Sequence, residues 1–503
     1  MSPAIWLVLE PAKCIINKEG GMTYEQLASG SGVAHTALSP DRTAYKRKIL
    51  HGEWTIGTKI PSQRKLAEEL QVNRSTVTAA VDELIAQGLL EGKRGGGTKV
   101  VNNTWSIMAA AKPLDWSTYV TSGSHQPNSS LIQAINQNEP RPDLIRLGTG
   151  ELSQELLPEQ EMGELFREAG TNILALGYEE PKGSLQLRQS VAEHLKTKGI
   201  HASPASIVIV SGALQALQLI SIGLLKPNSV MLTEKPSYLH SLRVFQSAGV
   251  RLKGVPMDGS GIKTDHLPAY RRQYEAGLLY TIPSFHNPTG TVMSLKRRKE
   301  LITLARNHRL PVIEDDAYGD IWIDKEPPPP LKSMDGEGNV LYIGTLSKTV
   351  SPGLRIGWVV APEPVADRLA DIKMQTDYGS SALSQWAACQ WLSSGRYEER
   401  LLRLRKELKI RRDAALRFLE RYAGDIAEWR VPEGGFYIWV TFHKAFTVQT
   451  LFIRALEAGV LINPGALYLP EDRQSLRLSY SYASLPDLEK GIQTIADIAR
   501  RFV

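Results

Sequence analysis

The segment Gly344–Trp358 carries the residues best suited to covalent chemistry. Its lysine, Lys348, follows an apolar run, and two hydroxyls and a guanidinium stand near it in sequence: Thr345, Ser347 and Arg355. A lysine amine forms an imine with an aldehyde, while hydroxyls and a guanidinium can hold a phosphate dianion. An ordinary surface loop would explain a lone lysine and arginine equally well, so the assignment depends on the elements around this segment.

Alternating strands and helices are predicted to position the lysine. Five apolar runs are predicted strands: Ile207–Val210, Val230–Thr233, Leu278–Ile282, Val312–Glu314 and Val340–Gly344. Helical patterns separate them, which favours a mostly parallel sheet covered by helices. After residue 363 a long helical stretch leads to a smaller α+β part that ends the chain. We therefore predict an α/β fold with a large domain and a smaller C-terminal one.

Two polar segments follow these predicted strands. Asp315 stands directly after Val312–Glu314, at the sheet edge where doubly wound folds bind ligands. Ser211–Gln215 joins a strand to a helix, so the backbone amides of Ala213 and Leu214 can bind phosphate at the positive end of the helix dipole. The sequence thus predicts a carboxylate and an anion site near the lysine.

Several short segments resemble, in their order along the chain, the fold-type I aminotransferases. They are Leu176–Arg188, Ser211–Gln215, Pro236–Tyr238, Ser284–Gly290, Ile313–Tyr318, Gly344–Trp358 and Ser475–Tyr480. The resemblance runs from residue 143 to residue 503. It implies pyridoxal 5'-phosphate (PLP) as the cofactor and Lys348 as the catalytic lysine that holds it as a Schiff base.

The same resemblance assigns roles around the cofactor ring. Asp315 would pair with the protonated pyridine nitrogen, although the neighbouring Asp316 could instead be the carboxylate that points inward. Tyr318 and Asn287 would hydrogen-bond the phenolic oxygen of the ring. Tyr238 would stack on the ring, the alternative being a tyrosine of the hydrophobic core.

Two further matches concern groups beyond the cofactor. Tyr178 matches a tyrosine that touches the phosphate of the other subunit's cofactor, which implies a homodimer with shared sites. Arg477 matches an arginine that binds the substrate α-carboxylate through a bidentate pair. The alternative for Arg477 is an ordinary arginine at a strand edge.

Residues 41–102 show a different pattern, of helices followed by a hairpin. Predicted helices over Asp41–His51, Ser62–Leu70 and Arg74–Gln87 precede a hairpin over Leu89–Val101 with a glycine-rich tip. This order is typical of a winged helix-turn-helix. The region has 11 Lys and Arg against 7 Asp and Glu, so it holds most of the chain's net charge of +6. A basic winged helix predicts binding to double-stranded DNA.

Pro61–Val77 resembles the winged helix of the GntR family, and Gly88–Thr98 resembles its wing. A GntR-type domain joined to an aminotransferase-like domain is identified as the MocR subfamily of bacterial transcription regulators. The resemblance implies a recognition helix that faces the major groove and a wing near the minor groove or the phosphates. The predicted DNA-binding residues are Arg64, Lys65, Arg74, Ser75, Thr76, Lys93 and Arg94. A solvated charged face is the alternative for all of them.

The predicted organisation has four parts. Residues 1–40 form a leader of unknown role, 41–102 the winged helix-turn-helix, 103–142 a linker, and 143–503 the PLP-binding domain. Cys14 and Cys389 stand far apart without metal-ligand spacing, so we expect a reducing, cytoplasmic setting, no disulfide framework and no metal site. The longest apolar stretch, Ser206–Leu225, is interrupted by polar residues, and we expect no membrane span.

Three functions are compatible with these patterns. The first is a transcription regulator whose aminotransferase-like domain senses PLP or an amino compound through the imine at Lys348. The second is a working aminotransferase for an α-amino acid with a DNA-binding appendage, because the residues for turnover are present. The third is a PLP-dependent lyase or decarboxylase, which no motif favours. The fusion of the two domains favours the regulator.

Overall fold

A computed structural model divides the chain into two units, Met1–Gly123 and Ser124–Val503. It describes residues 48–49, 53–93, 97–102, 116–123, 125, 127–172, 177–445 and 448–501. It also describes three short strands in the predicted leader, which form an antiparallel sheet: β1 (Val8–Leu9), β2 (Ala12–Ile16) and β3 (Met22–Tyr24). No role is assigned to this leader.

Helices and a hairpin build the first unit. The elements are α1 (Gln63–Leu70), α2 (Arg74–Ala86), β4 (Leu90–Lys93), β5 (Gly97–Val100) and α3 (Trp116–Ser122). Helix α1 begins after Ser62 because that side chain accepts a hydrogen bond from the Lys65 backbone N–H, at 3.3 Å. Of the helix predicted over Asp41–His51, only residues 48 and 49 are described, and both are helical.

An apolar core joins these elements. Val77, Val81 and Leu84 lie on one face of α2, as their spacing predicts, and each is at most 1% exposed. They belong to one cluster with Leu66 of α1 and Val100 of β5. The core therefore uses one side of α2 and leaves the other side to solvent.

The second unit contains an eight-stranded mixed sheet. In spatial order its strands are β10 (Gly261–Ile262), β9 (Arg251–Asp258), β8 (Val230–Lys235), β11 (Leu278–Thr281), β12 (Val312–Asp315), β13 (Val340–Thr345), β14 (Gly357–Val360) and β7 (Ile207–Val210). Strands β9 to β13 in this order are parallel, and β14 is antiparallel to both of its neighbours. The predicted mostly parallel sheet is confirmed. The carboxyl ends of β11, β12 and β13 consequently meet at one edge.

Helices of the second unit pack around this sheet. They are α4 (Ser130–Asn138), α5 (Glu159–Asn172), α6 (Leu185–Lys196), α7 (Ala213–Gly223), α8 (Val244–Ser247), α9 (Leu267–Gln273), α10 (Leu295–Asn307), α11 (Glu363–Thr376) and α12 (Ala382–Ser393). Helix α4 lies in the segment predicted as a linker, yet its Ile135 belongs to the core of this unit. The polar composition that predicts a linker also supplies Ser129, which caps α4 by accepting from the Ile132 backbone N–H at 3.4 Å.

A smaller α+β part completes the second unit, as predicted. The long helix α13 (Arg396–Ala423) leads to a four-stranded antiparallel sheet in the order β15 (Ala427–Trp429), β16 (Tyr437–Phe442), β19 (Ser475–Ser479) and β18 (Asn463–Pro464). The remaining elements are α14 (Val448–Glu457), α15 (Leu485–Arg500) and the paired strands β6 (Ile145–Arg146) and β17 (Val460–Leu461). No helix among the described residues is long and apolar enough to cross a membrane.

The separate core of the first unit can be tested with Leu84→Ala. Leu84 is fully buried, and a buried Leu→Ala substitution costs about 2–5 kcal/mol. We expect amide hydrogen exchange of the full-length protein to accelerate across residues 53–102 and to stay unchanged in the large sheet. Ile85→Ala is the matched control, because Ile85 is the next residue of α2 and is 38% exposed. Faster exchange in both units, or an equal effect of Ile85→Ala, would contradict separate cores.

Candidate functional site

Lys348 lies in the wall of a 410 Å³ cavity in the second unit. Strand β13 ends at Thr345, so the lysine follows the carboxyl end of a central parallel strand, where open sheets bind ligands. The Lys348 Nζ donates a hydrogen bond to the Gly150 carbonyl oxygen at 2.6 Å. Every residue predicted for the PLP and substrate sites lines this cavity except Tyr178.

Asp315, at the end of β12, lines the cavity, whereas the adjacent Asp316 does not. Its Oδ2 accepts a hydrogen bond from the Tyr280 hydroxyl at 2.7 Å, whereas its buried Oδ1 has no partner among the described residues. The adjacent Asp316 accepts from the Tyr342 hydroxyl at 2.7 Å and from Lys198 Nζ at 3.0 Å, outside the cavity wall. Burial raises the pKa of Asp315 to about 6. An uncharged carboxyl or a cationic N–H partner would each suit such a buried group.

Arg477, on β19, is a buried cation in the same cavity. Its Nη1 donates to Asn287 Oδ1 at 2.8 Å, and its Nη2 donates to the Gly148 carbonyl oxygen at 2.6 Å. Its guanidinium carbon lies 4.0 Å from the ring centre of Tyr437 and 4.8 Å from that of Tyr468. The buried Nε has no partner, and no acidic side chain in the described part of the chain forms an ion pair with Arg477. Such a cation is suited to an incoming carboxylate.

The turn that carries Asn287 and the segment of Tyr318 face the same cavity. Because Asn287 gives its oxygen to Arg477, its amide NH₂ remains without a described partner and is available as a donor. The Tyr318 hydroxyl lies 3.0 Å from the Tyr437 hydroxyl, both side chains being buried. Tyr238 also lines the cavity. This side of the cavity thus offers hydrogen-bond donors and an aromatic ring.

Hydroxyls, a guanidinium and a helix start meet at another part of the wall. Arg355 donates from Nη2 to the Ser211 carbonyl oxygen at 2.7 Å, which brings it to the turn before α7. Gly212 in this turn has φ +86°, and a Cβ there would lie 2.7 Å from the Arg355 guanidinium. The segment therefore needs glycine both for its backbone conformation and for this close approach. The other lining groups here are Ala213, Leu214, Thr345 and Ser347, and the Thr345 hydroxyl lies 3.0 Å from that of Ser347.

These observations test the fit of PLP to the residues present. The cavity carries a lysine amine, a cationic and hydroxyl-rich end for a phosphate, and an orphaned carboxylate oxygen for a ring N–H. All three features agree with the chemistry of PLP. The residues fit the cofactor.

Tyr178 is the predicted cofactor residue that the structure does not bring to the cavity. Its side chain is 83% exposed and packs edge-on against Tyr378, with ring centres 4.9 Å apart. A role towards another subunit requires a second chain, so this assignment stays a prediction.

The sequence reasoning missed several residues that line the cavity. Tyr437 and Tyr468 flank Arg477, and Ile132, Ile135 and Glu139 come from α4 or its C-terminal end. The tyrosines resemble ordinary core aromatics in sequence, and no local signal marks them as site residues. For α4 the Ser129 cap and the spacing of its two isoleucines were usable signals.

The predicted DNA-binding residues lie on the first unit. Arg74 and Ser75, at the start of α2, are exposed, Thr76 is half-buried, and Arg74 has no acidic partner in the described part of the chain. Arg64 and Lys65 on α1 pair with acidic residues one turn later, at 3.2 Å and 3.9 Å.

The wing has its own exposed cations. Lys93, at the end of β4, is exposed, whereas Arg94 lies outside the described residues. Lys59, which the sequence reasoning missed, pairs through its backbone with Lys99 beside the hairpin, and both are exposed. The hairpin therefore adds Lys59 and Lys99 to the candidate nucleic-acid interface.

Comparisons with known proteins match both units. Residues 142–495 match the family model of aminotransferase class I and II, and residues 44–100 match that of bacterial regulatory proteins of the gntR family. The uncharacterized HTH-type transcriptional regulator YisV of Bacillus subtilis is 67% identical over 458 residues, which cover 91% of this chain and 95% of YisV. The HTH-type transcriptional regulator NorG of Staphylococcus aureus is 35% identical over 448 residues, covering 87% of this chain and 98% of NorG.

Solved structures of aminotransferases resemble the second unit. A Pyrococcus horikoshii kynurenine aminotransferase in complex with PMP is 30% identical with a TM-score of 0.71, covering 75% of this chain and 96% of its own. A second structure is that of LysN, the α-aminoadipate aminotransferase of Thermus thermophilus, complexed with N-(5'-phosphopyridoxyl)-L-leucine. It is 29% identical with a TM-score of 0.69, and the match covers 77% of this chain and 99% of LysN.

Asp315→Asn tests the cost of ionising the buried carboxyl. Since burial raises the pKa of Asp315 to about 6, its protonated form stabilises the cofactor-free fold. This stabilisation is fully present below about pH 4 and is lost as the pH rises through about 6. Between pH 5 and pH 7.5 the wild type should lose about 1 kcal/mol of unfolding free energy that Asp315→Asn retains. Urea unfolding of the cofactor-free protein at both pH values measures this difference.

Asp265→Asn serves as the control for that experiment, because Asp265 is exposed. It should follow the wild type at both pH values. If Asp315→Asn also followed the wild type, the buried carboxyl would not titrate in this range.

Proposed function

The chain belongs to the MocR subfamily of GntR-family transcription regulators, and from this premise we propose that ligand binding at Lys348 controls how the winged helix binds its operator. PLP is the cofactor of the second unit, and the first unit binds DNA. We infer that the effector is PLP itself or an amino compound that reacts with it.

Different residues of the cavity would bind different groups of PLP. When bound, PLP supplies an aldehyde that condenses with amines and a ring that withdraws electrons. Lys348 provides the amine, Asp315 the partner of the ring N–H, and Arg355 the charge opposite the phosphate. The Asn287 amide and the Tyr318 hydroxyl donate to the phenolic oxygen. Arg477 orients an amino acid through its carboxylate.

The observation that carries the proposal is the position of α4. This helix follows the winged helix and its connecting segment in the chain, and it lines the same cavity as Lys348 through Ile132 and Ile135. A ligand that reaches this wall of the cavity would contact α4, the first helix of the second unit. If α4 packs differently in the two ligation states, the ligand can shift the equilibrium between conformations that differ in DNA affinity.

The winged helix would use α2 as its recognition helix. Arg74, Ser75 and Thr76 would meet base edges and flanking phosphates in the major groove, and Arg64 and Lys65 would contact the backbone. Lys93, Arg94 and the neighbouring lysines of the wing would follow the phosphates. We expect a cytoplasmic homodimer, in which Tyr178 reaches the other subunit's cofactor and two winged helices bind two half-sites.

Transamination is a second candidate activity. The observation that favours it is that Lys348, Asp315, Tyr318 and Arg477 all line one cavity. Incubating the PLP-loaded protein with amino acids and a keto acid, and measuring the new keto acid formed, distinguishes the two activities. Repeated turnover would make the protein an enzyme as well as a regulator.

Lys348→Ala tests the coupling directly. Without this amine, PLP should lose the visible absorption that it has when bound to the wild type. Binding to a DNA duplex from the region upstream of the protein's own gene should persist, but it should no longer respond to PLP. Absorption spectra and fluorescence anisotropy of the labelled duplex measure the two effects in full-length protein.

Lys299→Ala is the control, since Lys299 is an exposed lysine on α10, and it should behave like the wild type. The proposal would be overturned if neither PLP nor amino acids changed the DNA affinity of the wild type. So would a Lys348→Ala variant that responds to PLP as strongly as the wild type.

Arg74→Ala tests the recognition helix. Loss of a base or phosphate contact costs about 1–3 kcal/mol, so the affinity for the same duplex should fall about tenfold or more at fixed salt. PLP absorption should be unchanged. Arg272→Ala, at an exposed arginine of the second unit, should leave the DNA affinity unaltered. Equal loss in both variants would indicate a nonspecific charge effect.

A further inference from the structure

Glu139 is a half-buried carboxylate of the cavity to which the proposed function assigns no group of the ligand. In that proposal the phosphate, the ring N–H and the α-carboxylate of an amino acid each meet an oppositely charged or donating group. Glu139 lines the same cavity and is not among these groups.

The protein itself does little to neutralise Glu139. Its Oε1 accepts a hydrogen bond from the Thr149 hydroxyl at 2.9 Å. Among the residues that the structure describes, no Lys, Arg or His forms an ion pair with it. It also caps the C-terminal end of α4, where the negative end of the helix dipole disfavours a carboxylate. A cationic ligand group would offset both the missing ion pair and the unfavourable helix dipole.

Apolar side chains line the same cavity. Ile132 and Ile135 line the cavity from α4, the helix that ends at Glu139, and Leu467 lines it from the small part of the unit. Aliphatic stems pack against such surfaces while a charged end remains in a polar place. The combination suits a side chain with several methylene groups and a terminal cation.

We propose that Glu139 selects the effector by binding the cationic end of its side chain, so that the effector is a basic α-amino acid such as lysine or ornithine. This inference rests on the proposed function. Arg477 would hold the α-carboxylate, the aliphatic stem would lie against the isoleucines of α4, and Glu139 would receive the terminal ammonium. The selecting group then lies on the segment that joins the cavity to the DNA-binding unit.

The test uses full-length, PLP-loaded protein titrated with L-lysine, L-ornithine, L-norleucine and L-glutamate. The change in visible absorption of the bound cofactor gives an apparent Kd for each amino acid, whether or not turnover follows. For the wild type we expect lysine and ornithine to bind about tenfold more tightly than norleucine, which has no terminal charge. Glu139→Gln should remove about this factor for the basic amino acids and change norleucine less than twofold.

Two control variants distinguish selection from a structural role. Glu151→Gln removes the same charge from an exposed residue of the same cavity, where water screens it, and should have little effect. Thr149→Val removes the hydroxyl that Glu139 accepts from and should retain the preference for lysine. If Thr149→Val reproduced Glu139→Gln, or if Glu139→Gln weakened every amino acid equally, Glu139 would only position the Thr149 segment, and the inference would be wrong.

The outcomes also separate this inference from the proposed function. If norleucine or glutamate changes the absorption and DNA affinity as strongly as lysine, sensing stands and selection by Glu139 is overturned. If no amino acid changes either signal although PLP is bound, sensing of amino acids fails and the inference fails with it.

Discussion

Buried charge without a counter-ion is the constraint around which the cavity is organised. Arg477 is 5% exposed and Asp315 is 4% exposed, so each has lost most of its hydration. Burying a charge is costly unless a partner compensates for the lost water. Asn287, Gly148 and the Tyr280 hydroxyl compensate in part. One nitrogen and one oxygen remain unsatisfied, and a ligand with a carboxylate and a cationic ring nitrogen would satisfy both.

Networks behind the cavity wall keep these charges in place. Lys198 binds the Asp316 carboxylate at 3.0 Å and Asp320 at 2.9 Å, so Asp316 is neutralised on the far side of β12. Asp315 alone of the two neighbours is then left to the cavity. Buried Glu234 accepts from the Thr281 hydroxyl at 2.6 Å and from the Ile282 backbone N–H at 3.0 Å, and it lies 3.0 Å from His286 Nε2. Glu234 therefore lies beside the turn that contains the adjacent Asn287.

The two units solve different physical problems. The first unit has a small core of its own and presents cations on exposed faces, which suits reversible binding to a polyanion. The second unit buries Asp315 and Arg477, and burial strengthens electrostatic interactions. Helix α4 packs into the core of the second unit, although its sequence lies in the predicted linker, residues 103–142. We therefore propose α4 as the segment through which ligand binding in the cavity affects the winged helix.

Local patterns alone identified much of this protein. Strand periodicity predicted the parallel sheet, and the Ser62 cap and the spacing of Val77, Val81 and Leu84 predicted the helices of the first unit. These features succeed because capping, periodicity and strand-end position act over a few residues. Motif order predicted that Lys348, Asp315 and Arg477 belong to one site.

Long-range packing decided the rest. The choice between Asp315 and Asp316 depends on Lys198, more than a hundred residues earlier in the chain. Tyr437 and Tyr468 are neighbours of Arg477 only in the tertiary structure. Helix α4 likewise reaches the cavity through packing against residues that are distant in sequence. The sequence by itself predicted the two domains, the cofactor lysine and the excess of positive charge in residues 41–102. Tertiary structure decided which charges are buried without partners, because burial and counter-ions come from residues that are remote in sequence.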